Sequence, residues 1–119
     1  MSEFPVKYRD LTQNVTKNLA AMREDLPEVM KAFNDLGRAA GKAGVLERKT
    51  KELIALSLGV AARCDACIGF HVQTLVKLGT TRAELEEALA MAVYMGGGPS
   101  LMYSANALAA FEEFSAAAV

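Results

Sequence analysis

The chain has no charged residue between Glu87 and Glu112, and this span of 24 positions limits what it can fold into. A membrane-spanning helix needs about 20 predominantly apolar residues, so the span is long enough for one. Its middle, however, holds Gly-Gly-Gly-Pro at 96–99, and two serines and an asparagine follow. Because glycine and proline interrupt a helix, the span predicts two packed helices that meet at a glycine turn. Their lack of charge indicates burial on more than one side, in the core or at a subunit interface.

The balance of residue types favours helices over strands. The chain has 21 alanines and 14 leucines, but only nine valines, two isoleucines and six threonines. Alanine and leucine are strong helix formers, whereas β-branched residues are enriched in strands. No segment alternates apolar and polar residues convincingly over six or more positions. We therefore predict an all-α fold in a single domain that spans residues 1–119.

Apolar spacing and capping signals divide the chain into about six helices. Asp25 is the expected N-cap of the second helix, with Pro27 in its first turn. Gly79 is expected to end the fourth helix, and Thr81 and Glu84 form a capping box that opens the fifth. The predicted ranges are about 8–23, 26–40 (fading through Gly37 before a loop at 41–44), 47–62, 64–78, 81–95 and 99–117.

Charge and the first residues of the chain exclude several classes of partner. Thirteen Lys and Arg against fourteen Asp and Glu give a formal charge of -1, which lacks the positive surface that nucleic-acid binding usually needs. No basic stretch followed by an apolar core stands after Met1, so no signal peptide is predicted. We expect a cytoplasmic protein that binds neither nucleic acid nor a membrane. We also expect a homo-oligomer, because the uncharged span offers more apolar surface than one small core needs.

Both cysteines and the only histidine lie within eight residues, in the segment CDACIGFH from Cys64 to His71. On a helix, spacings of three and four residues place Cys64, Cys67 and His71 on one face. The cysteines would occupy the first turn, where free N–H groups, the helix dipole and the neighbouring Arg63 lower the pKa of a thiol. The segment therefore meets three requirements of dithiol redox chemistry: a thiolate, a second cysteine and a base. Two helical residues at this spacing have Cβ atoms about 5–6 Å apart, so closing a disulfide is expected to need a small distortion.

Glu52 is a candidate partner for His71. It lies near the start of the third helix, and its carboxylate would face the imidazole if the third and fourth helices pack antiparallel. A carboxylate paired with an imidazole suits proton transfer from a thiol. A glutamate in a first helical turn is also common as a surface residue that complements the helix dipole, so this alternative stays open.

Two other interpretations of the cysteines stay open as well. They could be inert buried side chains, or ligands of a structural metal with Glu52 or another subunit completing the set of four. A permanent structural disulfide would stabilise little, because only two residues separate the cysteines. A thioredoxin fold is excluded by the missing βαβ pattern. We expect neither a metal nor an organic cofactor.

Glu52, eleven intervening residues, Cys64-x-x-Cys67-x-x-x-His71 and the Gly-Gly-Gly-Pro turn together resemble the carboxymuconolactone decarboxylase superfamily, and more narrowly its alkylhydroperoxidase D-like branch. The resemblance covers about residues 46–114, leaving N-terminal helices at about 8–40. It implies an all-helical fold that assembles into trimers or hexamers. It also implies a thiol peroxidase in which Cys67 attacks the peroxide, Cys64 resolves the product, and Glu52 and His71 relay the proton. An external dithiol or a thioredoxin-like reductase would restore both thiols.

The sequence departs from that branch at Ala66. In the best-studied members a second histidine precedes the second cysteine, so the proton relay here would be shorter. The decarboxylases of the superfamily generally lack the cysteine pair, which argues against lactone decarboxylation. Two alternatives remain: a non-enzymatic redox sensor or carrier that uses the same dithiol, and a structural or lactone decarboxylase-like oligomer with incidental cysteines.

Overall fold

The computed structural model describes residues 7–118, and in that range it contains six α-helices and no strand. The helices are α1 (Tyr8–Asp25), α2 (Pro27–Gly41), α3 (Arg48–Ala61), α4 (Asp65–Lys77), α5 (Arg82–Gly96) and α6 (Gly98–Ala117). The predicted all-α fold is confirmed. The first six residues, for which the sequence predicts no signal peptide, lie outside the described range.

Only Leu26 separates α1 from α2. Its N–H donates to the carbonyl of Met22 at 2.7 Å, which continues the hydrogen-bond pattern of α1 through Asp25. The prediction that Asp25 caps α2 is therefore wrong, because Leu26 holds that position without a side-chain hydrogen bond. Pro27 follows at the first helical position, where its missing N–H would have no partner within the helix.

The second helix continues past Gly37 and ends at Gly41. The ammonium group of Lys51, which lies on α3, donates to the carbonyls of Ala40 and Lys42 at 3.0 and 2.6 Å. A cation at these carbonyls satisfies backbone groups that a helix end leaves free, and it complements the negative end of the helix dipole. A contact between two helices therefore stabilises the last turn of α2.

Two glycines with positive φ set the ends of α4 and α5. Gly97 alone connects α5 to α6 with a φ of 73°, which confirms the predicted glycine turn. Gly79 follows α4 with a φ of 77°, and its N–H donates to the carbonyl of Val76. Glycine adopts this left-handed conformation without the steric penalty that a Cβ brings.

The fourth helix lies at the centre and packs against α1, α3 and α6. The largest fully buried side chains come from α3, α4 and α5, and they are Leu56, Val60, Ile68, Val72, Leu75 and Leu85. Burying one such side chain contributes about 1.5–3 kcal/mol, so this core fixes the positions of the three helices. Ala107 and Ala110 let α6 approach the core closely. The cysteine segment on α4 is thus held between α3 and α1.

Large apolar side chains stay exposed on α2, α3, α5 and α6. They include Val29, Phe33, Leu36, Ile54, Leu58, Met91, Tyr94, Met95, Leu101 and Met102. Phe33 is 68% exposed, and monomeric proteins rarely leave large connected apolar surfaces in water. Both helices of the uncharged span bury one side in the core and expose the other. Within residues 7–118, no helix combines the length and hydropathy that a membrane span requires.

Candidate active site

The two cysteines form a disulfide at the start of α4, with Cα atoms 5.2 Å apart. Cys64 is the N-cap of α4, with extended backbone angles (φ -110°, ψ 95°), and its Sγ accepts the N–H of Cys67 at 3.2 Å. The helix therefore begins one residue later than predicted. The expected distortion of the helix is also wrong, because Cys64 lies outside the regular helix and its extended backbone brings the sulfur over the first turn.

Arg63 turns the chain from α3 into α4. It has a φ of 59°, in the left-handed region that costs about 1–2 kcal/mol for a residue with a Cβ. The turn is held by two hydrogen bonds of 3.0 Å, from Arg63 N–H to the Val60 carbonyl and from Cys64 N–H to the Gly59 carbonyl. Strained backbone of this kind occurs at functional sites more than elsewhere. Here it places an exposed guanidinium directly before the first cysteine.

Antiparallel packing of α3 and α4 brings Glu52 to His71. Oε1 of Glu52 lies 3.0 Å from Nδ1 of His71. The Glu52 side chain is 15% exposed and that of His71 is 34% exposed, so the pair is half-buried with one edge open to solvent. Because a carboxylate only accepts hydrogen bonds, Nδ1 carries the hydrogen in this contact. In that tautomer Nε2 carries the lone pair of the ring.

The second cysteine packs against a glycine of α3. A Cβ on Gly59 would lie 3.2 Å from Cβ of Cys67, so the two helices approach each other closely beside this cysteine. His71 follows Cys67 by one helical turn on the same face. The interface between α3 and α4 therefore carries the sulfur of Cys67, the imidazole and the carboxylate.

Glu52 also lines a cavity of about 330 Å³ between the end of α2 and the start of α3. The other lining residues are Gly37, Arg38, Gly41, Lys42 and Arg48. Glu52 therefore contacts His71 and also lines an open space that it shares with three cationic side chains. Within residues 7–118, no group of three His, Cys, Asp or Glu side chains is arranged to hold a metal ion.

Asp65, between the two cysteines, accepts hydrogen bonds from two other helices. The phenol of Tyr8 on α1 donates to its Oδ1 at 2.8 Å, and the amide of Asn106 on α6 lies 3.4 Å from the same oxygen. Burial first, and then this hydrogen bond to Asp65, raise the pKa of the Tyr8 phenol above its ordinary value. The phenol is therefore a hydrogen donor throughout the physiological pH range. The sequence offers no signal for this contact, since the two residues lie 57 positions apart.

These features define a class: a small helical protein with a cysteine pair at a helix N-terminus, beside a carboxylate–imidazole pair. Residues 27–111 match the sequence model of the carboxymuconolactone decarboxylase family. The chain belongs to that family. The resemblance to the family as a whole is confirmed, and the matched region starts with α2.

Solved structures and sequence relatives agree with this assignment. A carboxymuconolactone decarboxylase family protein from Legionella pneumophila is 60% identical, with a TM-score of 0.89 over 91% of this chain and 96% of that one. A family protein from Thermotoga maritima, suggested to be involved in an antioxidative response, is 30% identical, with a TM-score of 0.77 over 86% and 87%. An uncharacterized protein from Cupriavidus necator is 38% identical over 102 residues, or 86% of this chain and 90% of the relative.

Proposed function

We propose that the protein is a thiol peroxidase of the alkylhydroperoxidase D-like branch, which reduces a peroxide through the Cys64–Cys67 dithiol. The observation that supports it most is one juxtaposition. A cysteine pair that can close into a disulfide lies one helical turn from an imidazole whose Nδ1 is held 3.0 Å from a carboxylate. The antioxidative role suggested for the Thermotoga maritima relative points in the same direction.

In the first step Cys67 is the nucleophile. Its thiol gives a proton to Nε2 of His71, and Glu52 stabilises the imidazolium through Nδ1. The thiolate attacks the terminal oxygen of the hydroperoxide, so an S–O bond forms as the O–O bond breaks. The leaving alkoxide takes the proton from the imidazolium and departs as an alcohol. Cys67 is oxidised to a sulfenic acid while the peroxide is reduced.

In the second step Cys64 resolves the sulfenic acid. Its position at the N-cap, where the sulfur accepts a backbone N–H, favours the thiolate form. That thiolate attacks the sulfur of Cys67, so the S–S bond forms as the S–O bond breaks, and the leaving hydroxide takes up the proton that the Cys64 thiol released and departs as water. An external dithiol or a thioredoxin-like reductase then reduces the disulfide by exchange and is itself oxidised. We place this cycle in the cytoplasm, where disulfides are mostly transient and catalytic.

We also propose that the protein assembles into a homo-oligomer, a trimer or a hexamer. The support is the apolar surface on α2, α3 and the α5–α6 turn, which includes Phe33 at 68% exposure and Tyr94 at 78%. A second copy of the chain carries the same surface, so contacts between copies can cover it on each subunit.

Turnover of a panel of peroxides with a dithiol reductant tests the proposal. Cys67→Ser should abolish turnover, because serine forms no alkoxide near neutral pH. Cys64→Ser should react once and leave a sulfenic acid that a trapping reagent detects. Glu52→Gln and His71→Ala should each slow the reaction by about 10²–10⁴-fold, the usual range for loss of a general base. Glu47→Gln is the matched control, since it removes a carboxylate from the start of the same helix without touching His71.

The double variant of Glu52 and His71 should be little slower than either single variant, because groups that act as a unit are not additive. Activity of Glu52→Gln within about twofold of the parent would remove Glu52 from the mechanism, since general-base loss predicts far more. If peroxide oxidises the dithiol once but no reductant supports turnover, the protein is a redox sensor and the proposed enzyme activity is wrong.

A further inference from the structure

The hydrogen bond between Tyr8 and Asp65 joins the dithiol turn to a helix outside the family match. The match begins at residue 27, whereas Tyr8 is the first residue of α1. Asp65 is the first residue of α4, half-buried, and stands between the cysteines. The first helix therefore places a hydrogen-bond donor on the one carboxylate among residues 64–67, the reactive turn.

The position of this phenol is fixed by packing. Tyr8 is 6% exposed, and a Cβ on Gly69 of α4 would lie 3.3 Å from its ring and 2.6 Å from Cγ2 of Thr12. The carboxylate of Glu113 on α6 accepts the N–H groups of the first two residues of α1, both at 2.8 Å. The first turn of α1 is thus held by α4 and α6 together, and the phenol has little freedom to leave the Asp65 carboxylate.

A carboxylate in the same helical turn as a thiolate disfavours the thiolate, because the two charges repel. The O–H dipole of Tyr8 points its positive end at Asp65 and so reduces the negative potential at the dithiol. The amide of Asn106 acts in the same sense, at the longer distance of 3.4 Å. Other ionisable groups around this turn are Arg63, His71, Tyr103 and Glu113, and none of them hydrogen-bonds to Asp65 within the described residues.

We propose that Asp65 and Tyr8 are positioning residues that set the thiolate fraction of the reduced dithiol, Asp65 lowering it and Tyr8 acting through Asp65 to restore it. The use of this thiolate rests on the proposed function, in which a larger thiolate fraction means faster attack on the peroxide. The ionisation itself can be measured without peroxide or reductant.

The measurement uses the Cys64→Ser protein, in which Cys67 is the only cysteine. Ultraviolet absorbance of the thiolate against pH, and the rate of alkylation, both report the ionised fraction. Asp65→Asn removes one negative charge from the turn. At pH values below the midpoint of the thiol titration, it should raise the thiolate fraction by about threefold or more. Tyr8→Phe should lower it by about twofold or more, because the carboxylate loses its donor. In the Asp65→Asn background Tyr8→Phe should have no further effect, since Tyr8 acts through that charge.

Tyr103→Phe is the matched control. It removes the same phenol oxygen from a neighbour of Tyr8 on α6 that makes no hydrogen bond to Asp65 among the described residues, and it should leave the thiolate fraction unchanged. A merely structural role predicts that Tyr8→Phe and Asp65→Asn shift ionisation in the same direction, or not at all. Either result overturns the proposal, as does an effect of Tyr8→Phe that persists with Asp65→Asn. If the thiolate fractions change as predicted but the parent protein shows no peroxidase turnover, only the proposed function is overturned.

Discussion

Replacing Gly69 with alanine would test how closely α1 packs on α4. Gly69 is buried in α4, and the added Cβ would lie 2.6 Å from Cγ2 of Thr12 and 3.3 Å from the ring of Tyr8. The first distance is shorter than real Cβ atoms show, so a neighbour must move. Thr12 is β-branched and its Oγ1 donates to the carbonyl of Arg9 at 3.1 Å, which restricts its rotation. The clash must therefore be relieved by moving α1 away from α4.

Two opposing effects set the size of the change. Alanine is better than glycine inside a helix by about 1 kcal/mol, whereas overpacking a core costs about 1–3 kcal/mol. The upper half of that range applies to Gly69, because the nearest group belongs to a stiff side chain. We expect a net loss of about 1–2 kcal/mol in the free energy of unfolding. For 119 residues this lowers the melting temperature by about 4–8 °C.

Urea and heat denaturation at a fixed protein concentration measure this loss, since the stability of an oligomer depends on concentration. Thr12→Ser removes Cγ2 and keeps the hydroxyl, so adding it to Gly69→Ala should recover at least about half of the loss. Gly37→Ala is the control, because Gly37 lies inside α2 with nothing within 4 Å of the added Cβ and should gain up to about 1 kcal/mol. A Gly69→Ala protein as stable as the parent, or one that Thr12→Ser does not rescue, would refute the close packing of α1 on α4.

Two further predictions concern acid stability and assembly. The Lys49 ammonium, 2.7 Å from the carboxylate, and then the Thr81 N–H lower the pKa of Glu84 to about 2. This carboxylate therefore stabilises the fold at pH values above its ordinary pKa of 4.5, and that stabilisation is lost as the pH falls towards 2. Lys49→Met should therefore narrow the difference in melting temperature between neutral pH and about pH 3, and parallel melting curves for parent and variant would contradict this. Phe33→Glu, on the exposed side of α2, should reduce the particle mass seen by light scattering, whereas Asn18→Glu on α1 should not. A parent that is already monomeric at micromolar concentration would rule out the oligomer.

The six helices could be predicted because most of their ends are set by local chemistry. Pro27, Gly79 and Gly97 act through their own backbone preferences, and the capping box of Thr81 joins residues only three apart. Other helix ends also depend on groups from a neighbouring helix. The last turn of α2, for example, is stabilised by Lys51 from α3, and no local signal in α2 reveals that donor.

The same distinction between local and distant contacts applies to the candidate site. Cys64, Cys67 and His71 are linked by helical spacing, so their proximity follows from the sequence once a helix is assumed. The contact between Glu52 and His71 needed one further assumption, that α3 and α4 run antiparallel. The contact between Tyr8 and Asp65 joins residues 57 apart on helices whose packing no periodicity specifies. It could not be predicted from the sequence.

The reactive turn draws its environment from three helices besides its own. Gly59 of α3 sets the space around Cys67, while Tyr8 of α1 and Asn106 of α6 share the Asp65 carboxylate. The spacing C-x-x-C-x-x-x-H places the groups of the candidate site, and the proposed roles of Tyr8 and Asp65 add changes of about twofold to threefold in the thiolate fraction. The identity of the residue that α1 presents to Asp65 can therefore change how reactive the dithiol is while the fold and the motif stay the same. Under this proposal, two proteins of the family with identical cysteine motifs should differ in thiol reactivity where a different residue of the first helix faces the aspartate.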